Sequence, residues 1–295
     1  MLLKRFTQYV LSSRSRAVFM AMLFMVLPFF SWVSAVIVAL VTLRKGIYEG
    51  FLIVLWTALP FVVLFVVEKE WVLFVRLVLL GSLLVWLLAI VFRRYAKWSL
   101  ILELSALFGI LGVLIVHILI PNVDTWWVNH VVALTKTIAF PIDETILTQV
   151  IQMMAPYATG LSALFILISG VTELIIGRGL VSQFEKGKKF IQEWVNIRLS
   201  VIAALILIFN IVMIFKGPVI FKDFLPLTVL PFIFAGISFV HLLLIKWHVS
   251  RKQLILFYVI VMVAVIFFPV LLSLLVMISF ADSFINFRAR MIVTE

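Results

Sequence analysis

The chain has 295 residues, of which 65% are hydrophobic and 13% charged, with a mean hydropathy of +1.29 and a formal charge of +11. A soluble domain carries about twice that charged fraction, so this composition excludes an ordinary soluble protein. The basic residues sit in short gaps between apolar runs, the pattern of loops facing the cytoplasm, which argues against nucleic acid as a partner and for the lipid bilayer.

There is no cysteine, which excludes disulfides, thiolate metal sites and Cys nucleophiles, and four scattered histidines do not make a metal site. The first apolar run, 17–42, is interrupted between Pro28 and Ser34 and lacks a small-residue cleavage pattern, so it reads as a retained membrane segment. Further runs follow at 48–67, 71–92, 98–120, 157–177, 199–215, 224–245 and 254–280. Each is about 17 to 27 residues, the length a helix needs to cross roughly 30 Å of hydrocarbon, and none alternates as a barrel strand does. The expectation is an all-α, polytopic membrane helical bundle with about seven full spans plus a broken first segment, forming a single integral membrane domain over 1–295.

Orientation follows from Lys and Arg. If 17–42 enters and returns without a net crossing, one side holds roughly three times as many basic residues as the other, as cytoplasmic loops should. This assigns 17–42 two short helices that reach only part-way into the membrane, covered by protein or a water-filled cavity. It also places 121–156 on the outer face. There Trp127, Val131, Leu134 and Ile138 recur at helical spacing, and Asp143 is positioned to cap a second short helix presenting Ile146, Val150, Met153 and Met154. On the inner face, 180–198 reads as an amphipathic loop in which Phe190, Ile191, Trp194 and Arg198 share helical spacing.

Four passages resemble the YybS-like family of bacterial membrane proteins: LVTLRKGIYEG at 40–50, NIRLS at 196–200, GISFVHLLLIK at 236–246 and ADSFINFRAR at 281–290. The last is the most specific, an Asp followed by an aromatic residue and an Arg. The chain departs from the pattern at Ala281 and Ser200. The residues carried by these motifs are Arg44, Gly46, Arg198, Gly236, His241, Asp282 and Arg288. The family resembles the substrate-binding (S) components of energy-coupling-factor transporters. The resemblance implies an S-component-like bundle with a short second membrane segment, location in the bacterial inner (cytoplasmic) membrane, and membrane or ATPase partner subunits. In such transporters a small-xxx-small stripe on the first helix meets the partner, and Ala17 and Ala21 have that spacing here. Such stripes equally serve packing within a chain.

Ionisable groups inside apolar spans are functional candidates by default. Counting at 1.5 Å per residue puts Glu103, Glu173 and His241 at roughly one shallow depth inside the cytoplasmic boundary, with Asn210 nearer the midplane. Ser169, Thr172 and Ser238 supply hydroxyls near the same layer. Such a layer is suited to relaying protons, holding a cation or binding a polar substrate group. The competing reading pairs each Glu with a loop cation, Lys97 or Arg178. His117 reads as interfacial or bonded to backbone, Arg76 as snorkelling outward, and Glu49 as pairing within its own basic turn. No phosphate-binding loop, His-Glu-x-x-His or Gly-x-Ser-x-Gly pattern is present, so the sequence calls for no cofactor and no catalytic residue. Three readings follow: a substrate-binding or transport component with partner subunits, a membrane scaffold or assembly factor without a ligand, and an intramembrane enzyme acting on lipid.

Overall fold

The structure is a computed structural model describing residues 2–27, 29–68, 81–138, 144–185, 188–267 and 269–292. These residues are helical with short connections and contain no strand. The helices are α1 (Leu2–Ser12), α2 (Arg14–Val26), α3 (Ser31–Arg44), α4 (Ile47–Glu68), α5 (Leu84–Tyr95), α6 (Trp98–Leu119), α7 (Val123–Ile138), α8 (Glu144–Ser182), α9 (Lys188–Val195), α10 (Val201–Lys216), α11 (Ile220–Lys246), α12 (Arg251–Phe267), α13 (Pro269–Ile285) and α14 (Phe287–Ile292). They form two compact units, one of 1–101 with 166–195 and the other of 102–165 with 196–295.

Among the described residues, three helices are long and apolar enough to cross a membrane: α6, α8 from Thr145, and α11. The α1–α2 pair passes the same test together but is bent by 120°. The other expected runs meet shorter apolar helices, among them α3, α10 and the described parts of α12 and α13. The membrane assignment rests on exposure as well as length. In α10 only Ala204, Leu207 and Asn210 are buried, while Ile202, Leu205, Phe209 and Phe215 face outward. So large an apolar face on a folded chain requires an apolar surrounding.

In the first unit the expected break is present. The helix stops after Val26 and restarts at Ser31, and Phe29 turns the chain with φ of +65°. At 13 and 14 residues, α2 and α3 each extend only about 20 Å. The two pack on each other, and α3 also packs against α4 and α5. Every residue of α3 from Ser34 to Thr42 is buried, so α3 is the hydrophobic axis of this unit. Gly177 of α8 lies against it so closely that a Cβ would stand 2.7 Å from that of Ala39. Ala17 and Ala21 are 1% and 0% exposed, in one cluster with Val10, Val36 and Ile37. Their small side chains therefore serve the chain's own packing, which corrects the reading of them as an open docking stripe.

Two boundaries differ from expectation. The helix expected to end before Pro156 does not: α8 is a single 39-residue helix with Pro156 inside it. The second short outer helix is the first part of α8, and its apolar residues Ile146, Val150 and Met153 are exposed. Asp143, its expected cap, lies outside the described residues, as does Arg76. The run 254–280 covers most of α12 and α13, whose described residues are Arg251–Phe267 and Pro269–Ile285. Finally, α8 runs to Ser182 and α9 is only eight residues long, so Arg198 lies beyond α9 rather than on its face.

Backbone contacts within the second unit are close. A Cβ on Gly236 of α11 would lie 2.4 Å from the Leu275 carbonyl oxygen of α13, whereas one on Gly112 of α6 meets nothing within 4 Å. Gly236→Ala is therefore expected to destabilise the chain by about 1–3 kcal/mol through forced separation of α11 and α13. Gly112→Ala is expected to be neutral or slightly stabilising, since Ala is the better helix former. Reversible unfolding of both variants in mixed micelles measures the contrast.

Candidate functional site

The polar residues expected to form one layer each have separate partners. Glu103, in the second turn of α6, accepts the backbone N–H of Ser200 at 2.7 Å, while the Ser200 hydroxyl accepts from Ala203 N–H at 3.2 Å. Ser200 is the N-cap of α10. In a capping box a Glu of the same helix takes the N-cap's own N–H. Here the carboxylate comes from another helix. This corrects the expected pairing of Glu103 with Lys97 and ties the start of α6 to the start of α10.

Asn210 is buried and joins α10 to α11. In the amide orientation that satisfies both its atoms it donates to the Phe221 carbonyl at 3.2 Å and accepts from Leu225 N–H at 3.1 Å. Those two groups are the i and i+4 positions just ahead of Pro226, where the proline ring disfavours a tight helical turn. The side chain thus bridges a weak point of the helix. His241 of α11 takes its ring Nδ1 to the Tyr258 hydroxyl of α12 at 2.6 Å. Glu173 belongs to the first unit. One of its oxygens accepts from Ser169 Oγ at 2.8 Å, and the other is buried with no partner among the described residues. It does not pair with Arg178, which instead holds Glu193 in two hydrogen bonds of 2.9 and 2.6 Å and Glu185 in one of 2.8 Å. Arg178 thereby fastens α9 against α8, and Trp194 packs edge-on to Trp98.

Several motif residues lie at or beside helix ends, while Gly236 and His241 lie inside α11. In the α3–α4 turn Gly46 has φ of +131°, a conformation open to glycine, and Arg44 lies over the Phe184 ring at 6.0 Å. Glu49 pairs with Arg14 at the start of α2, not with a base of its own turn. In the second unit Arg198, Gly236, Asp282 and Arg288 converge. Arg198 donates to the carbonyls of Asp282 and Ser283 at 2.9 and 2.8 Å in the last turn of α13, where the Asp282 carbonyl also accepts the Asn286 N–H at 3.1 Å. The chain reverses at Asn286, φ +51°, so that Arg288 returns to Asp282 at 2.8 Å. Arg288 also donates to Ser238 Oγ and the Ala235 carbonyl, both at 3.0 Å, with its guanidinium over Phe239. Both charged side chains of this pair are at most 5% exposed.

No family model matches this chain. Neither a curated protein nor a solved structure matches it either.

Two features of the second unit have room or chemistry to spare. A groove of about 110 Å³ lies between α6, α10 and α11, lined by Glu103, Ala106, Ile110, Ala203, Thr228 and Pro231 among others. One Glu103 oxygen caps Ser200, and the second makes no hydrogen bond among the described residues. At the opposite end of α6, His117 meets Asp223 at 2.7 Å, a pair the sequence does not signal because 106 residues separate its members.

The Asp282–Arg288 pair has a quantitative consequence. Breaking a buried, hydrogen-bonded ion pair from one side leaves an uncompensated charge, at a cost of about 3–5 kcal/mol. Arg288→Met and Asp282→Asn are each expected to lower unfolding free energy by about that much. The double variant should recover part of the loss, measured as a coupling energy in a double-mutant cycle.

Proposed function

We propose that this chain is a membrane-embedded substrate-binding or transport component that acts with partner subunits. In this reading it crosses the bacterial inner membrane about seven times, in the manner of the S components it resembles. The carrying observation is the groove between α6, α10 and α11, a mostly apolar slot lined by Glu103, one of whose oxygens has no hydrogen-bond partner among the described residues. That combination suits a ligand with a hydrogen-bond donor on an apolar body, since sites of this kind use few polar groups for orientation and apolar walls for affinity. The hairpin of α2 and α3, two helices too short to cross alone, supports the short second membrane segment that the resemblance implies. The chain has no phosphate-binding loop, so an ATP-driven step in this reading belongs to another subunit.

The scaffold reading is favoured by a different observation. Glu103, Asn210 and His241 each satisfy a backbone or hydroxyl group of their own neighbour, which is what polar residues do when they specify packing. The lipid-enzyme reading requires those groups to meet in one cleft. Of Glu103 and His241, only Glu103 is among the groove's lining residues.

Native mass spectrometry of the chain purified with its lipids separates these readings. The transport reading predicts a retained small molecule and a co-purifying subunit, with occupancy reduced at least tenfold by Ala203→Phe, which fills the groove. Recovery of the chain with lipid alone, in wild type as in the variant, would overturn it and favour a scaffold.

A further inference from the structure

Asp223 is 1% exposed and lies in the first turn of α11. Its carboxylate is held from two other helices. Oδ2 meets His117 Nε2 of α6 at 2.7 Å, and Oδ1 accepts the backbone N–H of Gly160 in α8 at 2.7 Å. A mid-helix N–H is normally committed to its own ladder. This one reaches a side chain because α8 touches α11 there: a Cβ on Gly160 would lie 2.1 Å from the Asp223 carbonyl oxygen. In an unbroken ladder the Gly160 N–H would instead meet the Pro156 carbonyl one turn earlier in α8.

The His117 side chain is 21% exposed, against 2% for Asp223, so the pair has one wet member and one dry member. The surrounding charges are few. Asp124 of α7 acts on Asp223 from a distance, and Lys222 is turned aside over the Tyr157 ring. Neither makes an ion pair with Asp223 among the described residues. A buried carboxylate paired with an imidazole forms a unit that carries either a net charge of −1 or, with one added proton, zero. In apolar surroundings those two states differ greatly in solvation, so a single proton is the natural ligand of such a pair. Carboxylate–imidazole combinations within apolar helices are the usual material of proton pathways.

We propose that His117 and Asp223 form a proton-binding site that takes up and releases one proton through the exposed edge of His117. Asp223 accepts from Nε2–H, which leaves Nδ1 as the basic nitrogen. Uptake places the proton on Nδ1, converts imidazole to imidazolium, and turns the anionic pair into a neutral one; release reverses each step. Because the same carboxylate holds Gly160, occupancy governs how firmly α6 and α8 are clamped to α11. The effect extends to α7, since Thr159, next to Gly160, accepts from Trp127 Nε1 at 2.8 Å.

The 295-residue chain, labelled with ¹⁵N-histidine and reconstituted in bilayers, tests this by NMR from about pH 4 to pH 9, which spans the carboxylate and imidazole ranges. His117→Gln assigns the signal among the four histidines. The expected result is that His117 keeps its hydrogen on Nε2 throughout while Nδ1 gains one as the pH falls. Asp223→Asn should displace that step by tenfold or more in proton concentration, and Arg94→Gln, at an exposed cation of α5, should leave it in place. A wild-type His117 that holds its hydrogen on Nδ1 alone, or that exchanges no proton across this range, would overturn the proposal whether or not any variant folds. So would a step unchanged by Asp223→Asn.

Discussion

A helix that ends in an apolar medium leaves four N–H or four C=O groups with no water to take them. Much of this molecule is a response to that constraint. Several of its helices are short, so it has many ends, and side chains from elsewhere in the chain close them. Glu103 closes the start of α10, Arg198 the end of α13, and Arg93 the end of α3 through the Thr42 and Leu43 carbonyls. Arg288 does the same for a carbonyl within α11. Hydrogen bonds to a charged partner contribute roughly 1.5–3 kcal/mol each, about double neutral ones, and the alternative is an unsatisfied group in hydrocarbon. Several charged residues inside apolar segments are thus tied to backbone, while Glu173 meets only the Ser169 hydroxyl among the described residues.

That account changes the meaning of the intramembrane charges. A carboxylate at a given depth is a candidate for proton or substrate handling only insofar as its hydrogen-bonding capacity exceeds what the fold consumes. Glu103 has one oxygen beyond its capping duty, and it lines a groove. Asp223 uses both oxygens, but one of its partners is itself titratable. Arg288 is committed to Asp282, Ser238 and Ala235, and behaves as a structural clamp. The distinction comes from counting lone pairs and donors residue by residue.

Proline shows how much of the fold was legible in the sequence, and why the rest was not. Hydropathy identifies α6 and α11 correctly because apolar length is a linear property of the chain. The break between α2 and α3 was also legible, with the polar residues Ser31 and Ser34 reinforcing it. Yet Pro156 lies inside α8, Pro226 and Pro231 lie inside α11, and Pro269 starts α13. What differs is whether neighbours occupy the loosened turn, as Asn210 does ahead of Pro226. Those neighbours are remote in sequence, so a local reading cannot tell a tolerated proline from a terminating one. The same holds for the site. Glu103, Asn210 and His241 stand out as polar residues in apolar runs, but the linear chain does not reveal Ser200, Leu225 and Tyr258 as their partners. His117 and Asp223 sit at span ends, where polarity is ordinary, and only their meeting gives them significance.

The claim that side chains from other helices secure these ends is tested most directly by hydrogen exchange of the chain in lipid nanodiscs, comparing wild type with Glu103→Leu. The account predicts that amides in the first turn of α10, from Ser200 to Ala203, exchange tenfold or more faster in the variant, while α11 retains its protection. Unchanged protection across 200–203 would contradict it.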